Sequence, residues 1–173
     1  MSVEFKLEGL EPAQEKFKRL GNPRLMKNAA NRSIRKAMRI VVQAARDNAK
    51  RIDDPETREM IHKNITYQQG RWKSVNWASG RVGVMGGAAS NRHSKEVIFK
   101  EKKRKGEARQ AVGENQVALP GGNTKHFRFI EFGTSEMPAT PFLRPALQNN
   151  IQAVTNSFAE NFNKEIDKEL AKL

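Results

Sequence analysis

Cysteine is absent from the chain, which excludes a disulfide framework, a thiolate metal site and a cysteine nucleophile. Aromatic residues are sparse, with one Tyr, two Trp and nine Phe among 173 residues. Leu, Ile, Val and Phe together make up about a fifth of the chain, close to the level below which a charged chain stays disordered, so the expected core is thin. Acidic side chains are outnumbered, 19 against 32 Lys and Arg, and the net charge of +13 disfavours a basic partner and suits polyanionic surroundings. The opening Met1-Ser-Val-Glu-Phe-Lys holds no apolar run of signal-peptide length. Nowhere does an apolar stretch approach the ~18 residues of a membrane span, so a soluble protein made in a cytoplasm, without membrane contact, is expected.

The charge is unevenly spread. Residues 1–60 carry a net +5, residues 61–125 a net +9 and residues 126–173 a net −1. Val3, Phe5 and Leu7 alternate with Glu4, Lys6 and Glu8, which predicts a short strand ended by Gly9. Pro12 opens a short helix to Leu20, and Gly21-Asn22-Pro23 breaks and restarts the chain. From Arg24 to Ile52, Met26, Ala30, Ile34, Ala37, Val41, Ala45, Ala49 and Ile52 recur at steps of three and four. That spacing predicts a long, Ala-rich helix able to pack closely. Arg32, Arg35, Lys36, Arg39, Arg46 and Lys50 fall on its other face, read first as a solvated surface of good helix formers. Asp53-Asp54-Pro55 ends this helix and caps a short one through about Asn64.

Short β-branched or aromatic segments follow at Ile65–Tyr67, Ser74–Trp77, Arg81–Met85 and Glu96–Lys100, separated by glycines and Ser90-Asn91. They predict an antiparallel meander. Residues 100–125 open with Lys100, Lys102, Lys103, Arg104 and Lys105 and contain few large apolar groups, which predicts a long, mobile basic loop. His126-Phe-Arg-Phe-Ile-Glu-Phe132 alternates with apolar groups on both faces, as a strand inside the sheet would. Leu147, Ile151, Val154, Phe158, Phe162, Ile166 and Leu170 then form a helical stripe, which predicts a C-terminal helix over about 141–172 capped by Thr140. The expected fold class is α+β, one domain over 1–173: an antiparallel sheet packed by the two long helices, with an extended basic loop.

Catalytic patterns are missing. His62, His93 and His126 lack metal-ligand spacing, no serine sits in a nucleophile elbow, and no glycine-rich phosphate loop opens a helix. The pair Asp53/Asp54 and the cluster Glu165/Asp167/Glu169 read as a cap and a solvated helix face. Neither an enzyme nor a cofactor or metal is expected. Tyr67, Trp72 and Trp77 lie near basic residues but match no base-stacking motif, and core or hairpin packing is their expected role.

The stretch from His126 to Leu147, His-Phe-Arg-Phe-Ile-Glu-Phe-Gly-Thr-Ser-Glu-Met-Pro-Ala-Thr-Pro-Phe-Leu-Arg-Pro-Ala-Leu, resembles the signature of a tailed-bacteriophage family. These are the neck, head-to-tail joining or tail-completion proteins, lambdoid gene-product-ten-like and comparable to the lambda Z protein. The family pattern of an aromatic strand ending in Glu-Phe-Gly-Thr falls on Phe129, Glu131, Phe132, Gly133 and Thr134. Its proline-rich helix opening falls on Pro138, Ala139, Pro141, Phe142, Leu143, Arg144, Pro145 and Ala146. The lysine-rich insertion before it departs from the pattern. As a physical object the signature is a rigid corner, with Gly133 free to take positive φ, three prolines and a Phe142 anchor. Glu131 and Arg144 are expected to form an ion pair, within or across subunits.

The resemblance implies a structural virion protein of the neck, a homo-oligomeric ring of sixfold symmetry around the DNA channel. Its implied neighbours are head-closure or adaptor proteins on one side and tail-terminator proteins on the other. It implies assembly in the bacterial host cytoplasm and a final place at the tail top. These same signature residues are then candidate subunit-interface residues, and Lys100, Lys102, Lys103, Arg104 and Lys105 candidates to face DNA or a partner. The alternative from charge alone is a free-standing, nonspecific nucleic-acid-binding protein.

Overall fold

The computed structural model describes residues 23–53, 59–70, 77–86, 96–99 and 113–171. The expected strand at Val3–Leu7, the helix from Pro12 to Leu20, residues 74–76 of the Ser74–Trp77 strand and the lysine-rich run 100–105 lie outside these residues. The fold is α+β. The described elements are α1 (Pro23–Lys50), α2 (Ile61–Asn64), β1 (Ile65–Gln69), β2 (Gly80–Val84), β3 (Glu96–Phe99), β4 (Gln116–Leu119), α3 (Phe127–Phe132), α4 (Leu143–Gln148) and α5 (Ile151–Leu170).

The long Ala-rich helix forms as its periodicity predicts. Its buried residues are Ala29, Ser33, Ala37, Val41, Ala45 and Ala49, one every four positions. Because four residues overshoot a 3.6-residue turn, this row winds by roughly 200° around the axis over its length. The small side chains allow close approach, and the larger Met26 and Ile34 stand beside the row, half-buried. Ser33 satisfies its buried hydroxyl by donating to the Ala29 carbonyl, 2.8 Å away.

β1 and β2 pair, bracketed by Gly70 N–H to Ser79 O and Met85 N–H to Asn64 O, both 2.9 Å, which is the antiparallel pattern. β3 and β4 form a second two-stranded sheet that runs parallel, with Glu96 opposite Gln116 and Phe99 opposite Leu119. A meander would make neighbouring strands antiparallel. The sixteen residues 100–115 between these two are long enough for a crossover, which a parallel pair requires. Part of the expected loop is therefore ordered: β4 lies within 100–125, and Leu119, Gly121 and Thr124 are buried.

Two further expectations are corrected. Within the expected strand His126–Phe132, residues Phe127–Phe132 form a helix with Phe129 and Phe132 exposed, not a strand inside a sheet. An aromatic alternation this short also fits an i, i+3 helical face, and the hydrogen bonding of Glu131 described below selects the helix. The C-terminal helix is broken at Asn149-Asn150 into α4 and α5. Thr140 does not cap it, since α4 begins after Phe142. Pro145 is the third residue of α4, within the first turn where proline is tolerated.

The chain divides into two compact units. One contains the described residues 23–41, 67–70, 77–81 and 150–171, and the other 42–53, 59–66, 82–86, 96–99 and 113–149. In the first, Ala29 of α1 packs with Phe162 and Ile166 of α5, flanked by Leu25, Ala30, Phe158 and Leu170. Phe158 and Phe162 stack with centroids 5.2 Å apart. In the second, Ile61, Ile65, Leu119, Phe142 and Ala146 are buried, as are Ala45 and Ala49. A polar hub ties its loop together: buried Asn64 accepts from Gly121 N–H at 2.8 Å and donates to Gly122 O and Thr124 Oγ1 at 3.0 and 2.7 Å. Gly121 is required by space, because a Cβ there would sit 2.1 Å from the Met60 carbonyl oxygen. No described helix is long and apolar enough to cross a membrane.

Candidate functional site

The residues 126–147 fold into one hydrogen-bonded corner. α4 starts at Leu143 with Phe142 at its cap position, and phenylalanine offers no acceptor for the open amides of a first turn. Glu131, the fifth residue of α3, supplies it. One carboxylate oxygen accepts from Phe142 N–H at 2.8 Å and Leu143 N–H at 3.0 Å, and the other from Arg144 N–H at 3.1 Å. The next residue, Pro145, has no N–H to satisfy. A single buried carboxylate thus serves as the helix cap from eleven residues upstream, with its negative charge at the positive end of the helix.

Arg144 closes the corner from outside. Its Nε lies 3.3 Å from Glu131 Oε1 and its Nη2 donates to the Glu131 carbonyl at 2.5 Å. The guanidinium also stands 5.3 Å from the centre of the Phe132 ring, a cation–π distance. The expected Glu131–Arg144 ion pair therefore exists within one chain, and it is secondary to the main-chain bonds. Glu131 is 2% exposed whereas the Arg144 side chain is 53% exposed.

The turn between the helices is set by Gly133 and Thr134. Gly133 has φ +76°, and a Cβ there would meet Ala139 N at 2.9 Å. Thr134 Oγ1 accepts from Glu136 and Met137 N–H at 3.3 and 3.0 Å, and its own N–H donates to Met137 O at 2.9 Å. Phe142 is fully buried and anchors the corner, and Asn48 of α1 donates to its carbonyl at 3.2 Å. Pro138, Ala139 and Pro141 are exposed and Leu143 half-buried. The signature thus separates into a buried set, Glu131, Phe142 and Ala146, and an exposed apolar set. Phe129, Phe132, Met137 and Leu147 are 57%, 67%, 42% and 43% exposed. Sequence reasoning placed Phe129 and Phe132 in a sheet and missed this outward face. The signal for Glu131 as a cap was available: Phe-Leu-Arg-Pro opens a helix with no Ser, Thr, Asp or Asn directly before it.

The basic face of α1 is mixed in the same way. In the first unit, Arg32 Nε lies 2.6 Å from Glu165 Oε2, Arg32 Nη2 2.8 Å from Glu169 Oε1, and Lys36 Nζ 2.8 Å from Glu165 Oε1. The hydrogen bond from Lys36, aided by Arg32 and opposed by burial, holds the Glu165 carboxyl at about 2, well below its ordinary range. In the second unit Arg46 donates to the Ile65 carbonyl at 2.9 Å, and Lys50 pairs with Asp47 at 3.0 Å. The ridge is solvated as expected, with Arg32, Arg35, Lys36, Arg39 and Lys50 exposed, and Arg32, Lys36 and Lys50 also pair with carboxylates.

Asp53 does cap the short helix that follows it. It accepts from Ile61 and His62 N–H at 2.8 and 3.1 Å, with His62 Nδ1 2.6 Å away. Trp77, expected to pack, is 64% exposed. Among the described residues no three His, Asp or Glu side chains come together as a metal site. Compared with protein-family models, curated proteins and solved structures, the chain has no significant match in any of the three.

Proposed function

We propose that this chain is a structural component of a bacteriophage neck, joining the DNA-filled head to the tail as a homo-oligomeric ring around the DNA channel. The observation that carries the reading is the signature from Phe129 to Ala146, together with the way its halves depend on each other. The Glu-Phe-Gly-Thr part supplies the carboxylate, and the Pro-Phe-Leu-Arg-Pro-Ala part supplies the amides that it caps. A motif whose two halves are mutually required is a reason for those residues to occur together. The exposed Phe129, Phe132, Met137 and Leu147 support an assembly role, since a ring needs apolar surface left outside the monomer core.

On this reading the neighbours are head-closure or adaptor proteins and tail-terminator proteins, the final location is the virion, and no reaction is catalysed. The test is an in vitro joining assay with heads and tails made without this protein. Addition of the purified chain yields joined particles by electron microscopy, with the protein at the tail top. Heads and tails that stay separate overturn the reading. The excess charge favours nucleic-acid binding by a free-standing protein instead, and deletion of residues 100–105 distinguishes the two. A neck protein still joins particles without them, whereas a DNA binder built on that run loses its affinity.

A further inference from the structure

With Glu131 held inward, α3 turns one face outward. Arg128, Phe132 and Phe129 occupy a single arc of about 100° on this helix, spaced i, i+4 and i, i+3. All three are exposed, whereas Phe127 and Ile130 are half-buried and Glu131 is buried. The Arg144 guanidinium stands 5.3 Å from the centre of the Phe132 ring. Helix spacing and this contact therefore join two aromatic rings and two guanidinium groups in one face, made of residue types enriched at protein–protein interfaces. Phe129 and Phe132 are 57% and 67% exposed. Roughly 200–300 Å² of ring surface thus lies outside, the size of a central anchor in an interface that buries about 800 Å² per partner. Charge narrows the choice of partner. The corner, residues 126–147, holds Arg128 and Arg144 against Glu131 and Glu136, a net charge of zero in a chain of +13. Copies that each carry +13 repel, and the repulsion is least where they meet through a neutral segment. A polyanion or an acidic protein is drawn instead to residues 61–125, with their net +9.

We propose that the outer face of α3, with Phe129 and Phe132 at its centre and Arg128 and Arg144 beside them, docks on a second copy of this chain. This deepens the neck reading, on which it rests for the closure of copies into a ring by head-to-tail contacts. Arg144 prepares the face: its guanidinium, itself tied to Glu131, lies against the Phe132 ring before a partner arrives, so less side-chain freedom is lost on docking. Because the contact is aromatic and neutral, added salt tightens it by screening the repulsion between the two +13 chains. A contact built on exposed ion pairs has the opposite salt dependence.

The test is sedimentation velocity of the nuclease-treated full chain at micromolar concentration, in about 50 and about 500 mM salt. The double variant Phe129→Ser, Phe132→Ser is compared with Trp77→Ser, which removes a 64% exposed ring from the other unit, after circular dichroism shows both folded. The expected result is a parent that self-associates, more tightly at high salt. The dissociation constant rises roughly 30-fold or more in the double variant and stays within about threefold of the parent in Trp77→Ser. Should the double variant not fold, Phe129→Ser alone, which keeps Phe132 under Arg144, weakens association roughly tenfold. A monomeric parent, an unchanged Phe129 variant, an equal loss in Trp77→Ser, or association that weakens with salt overturns the proposal. Self-association that nuclease abolishes also overturns it and assigns the face to nucleic acid. The joining assay keeps the two readings apart. A monomeric parent that joins heads to tails removes this contact and leaves the neck reading standing, and a parent that assembles through this face but joins nothing does the reverse.

Discussion

Replacing Glu131 tests the corner most directly. Its carboxylate accepts three main-chain N–H bonds between 2.8 and 3.1 Å from Phe142, Leu143 and Arg144, and the side chain is 2% exposed. Hydrogen bonds to a charged acceptor contribute about 1.5–3 kcal/mol each, and a buried donor left without a partner costs about 1–3 kcal/mol. These terms overlap, and water reaches the Arg144 side of the site, so Glu131→Ala is expected to cost about 3–5 kcal/mol. That is a large part of the ~5–15 kcal/mol typical of a folded domain. Glu131→Gln keeps one acceptor oxygen but turns an NH2 toward a main-chain donor, for a cost of about 2–3 kcal/mol.

The Arg144 side chain, half exposed, contributes about 0.5–1 kcal/mol through its pairing. Charge exchange therefore fails: Glu131→Arg with Arg144→Glu is not rescued, because the three N–H groups still need an acceptor. Urea unfolding followed by circular dichroism measures all four proteins. A loss below about 1 kcal/mol in Glu131→Ala, or full rescue by charge exchange, refutes the capping argument and leaves a simple ion pair in its place.

Glu165 makes stability depend on acid. Its folded pKa of about 2 lies below the ordinary 4.5, so its contribution is complete above about pH 4.5 and is lost as pH falls toward 2. Because Arg32 and Lys36 are 44% and 42% exposed, screening limits this to about 1–2 kcal/mol, and Glu165→Gln should flatten that part of the stability–pH curve. Gly133→Ala should destabilise by about 1–3 kcal/mol through positive φ and the approach to Ala139 N. Gly83→Ala, where a Cβ meets nothing within 4 Å, should be neutral within about 0.5 kcal/mol, and thermal melts compare the two. Asp53→Ala removes the acceptor of Ile61 and His62 N–H and should cost about 2 kcal/mol by urea unfolding, more than His62→Ala, which leaves both main-chain bonds intact.

Periodicity and turn chemistry, both local, were legible in the sequence. The three- and four-residue recurrence from Met26 to Ile52 dictated a helix with a small-residue packing stripe, because each residue's angular position follows from its number. In its first turns, however, the buried row runs through Ala29 and Ser33, while Met26, Ala30 and Ile34 are half-buried. The stripe of Phe158, Phe162 and Ile166 dictated another, and Gly133 with its prolines dictated a turn. The α+β class followed from these. Three matters were settled only by contacts distant in sequence. The aromatic run 127–132 suits either period, and it becomes a helix because Glu131 must meet amides eleven to thirteen residues ahead. The β3–β4 pair runs parallel, an orientation that its long connection permits and that strand composition does not encode. The fate of the charge was likewise tertiary. Arg32 and Arg35 are the same residue type three positions apart on one helix, yet one is neutralised by Glu165 and the other rests on a glutamine, because only the fold determines which side chain stands opposite.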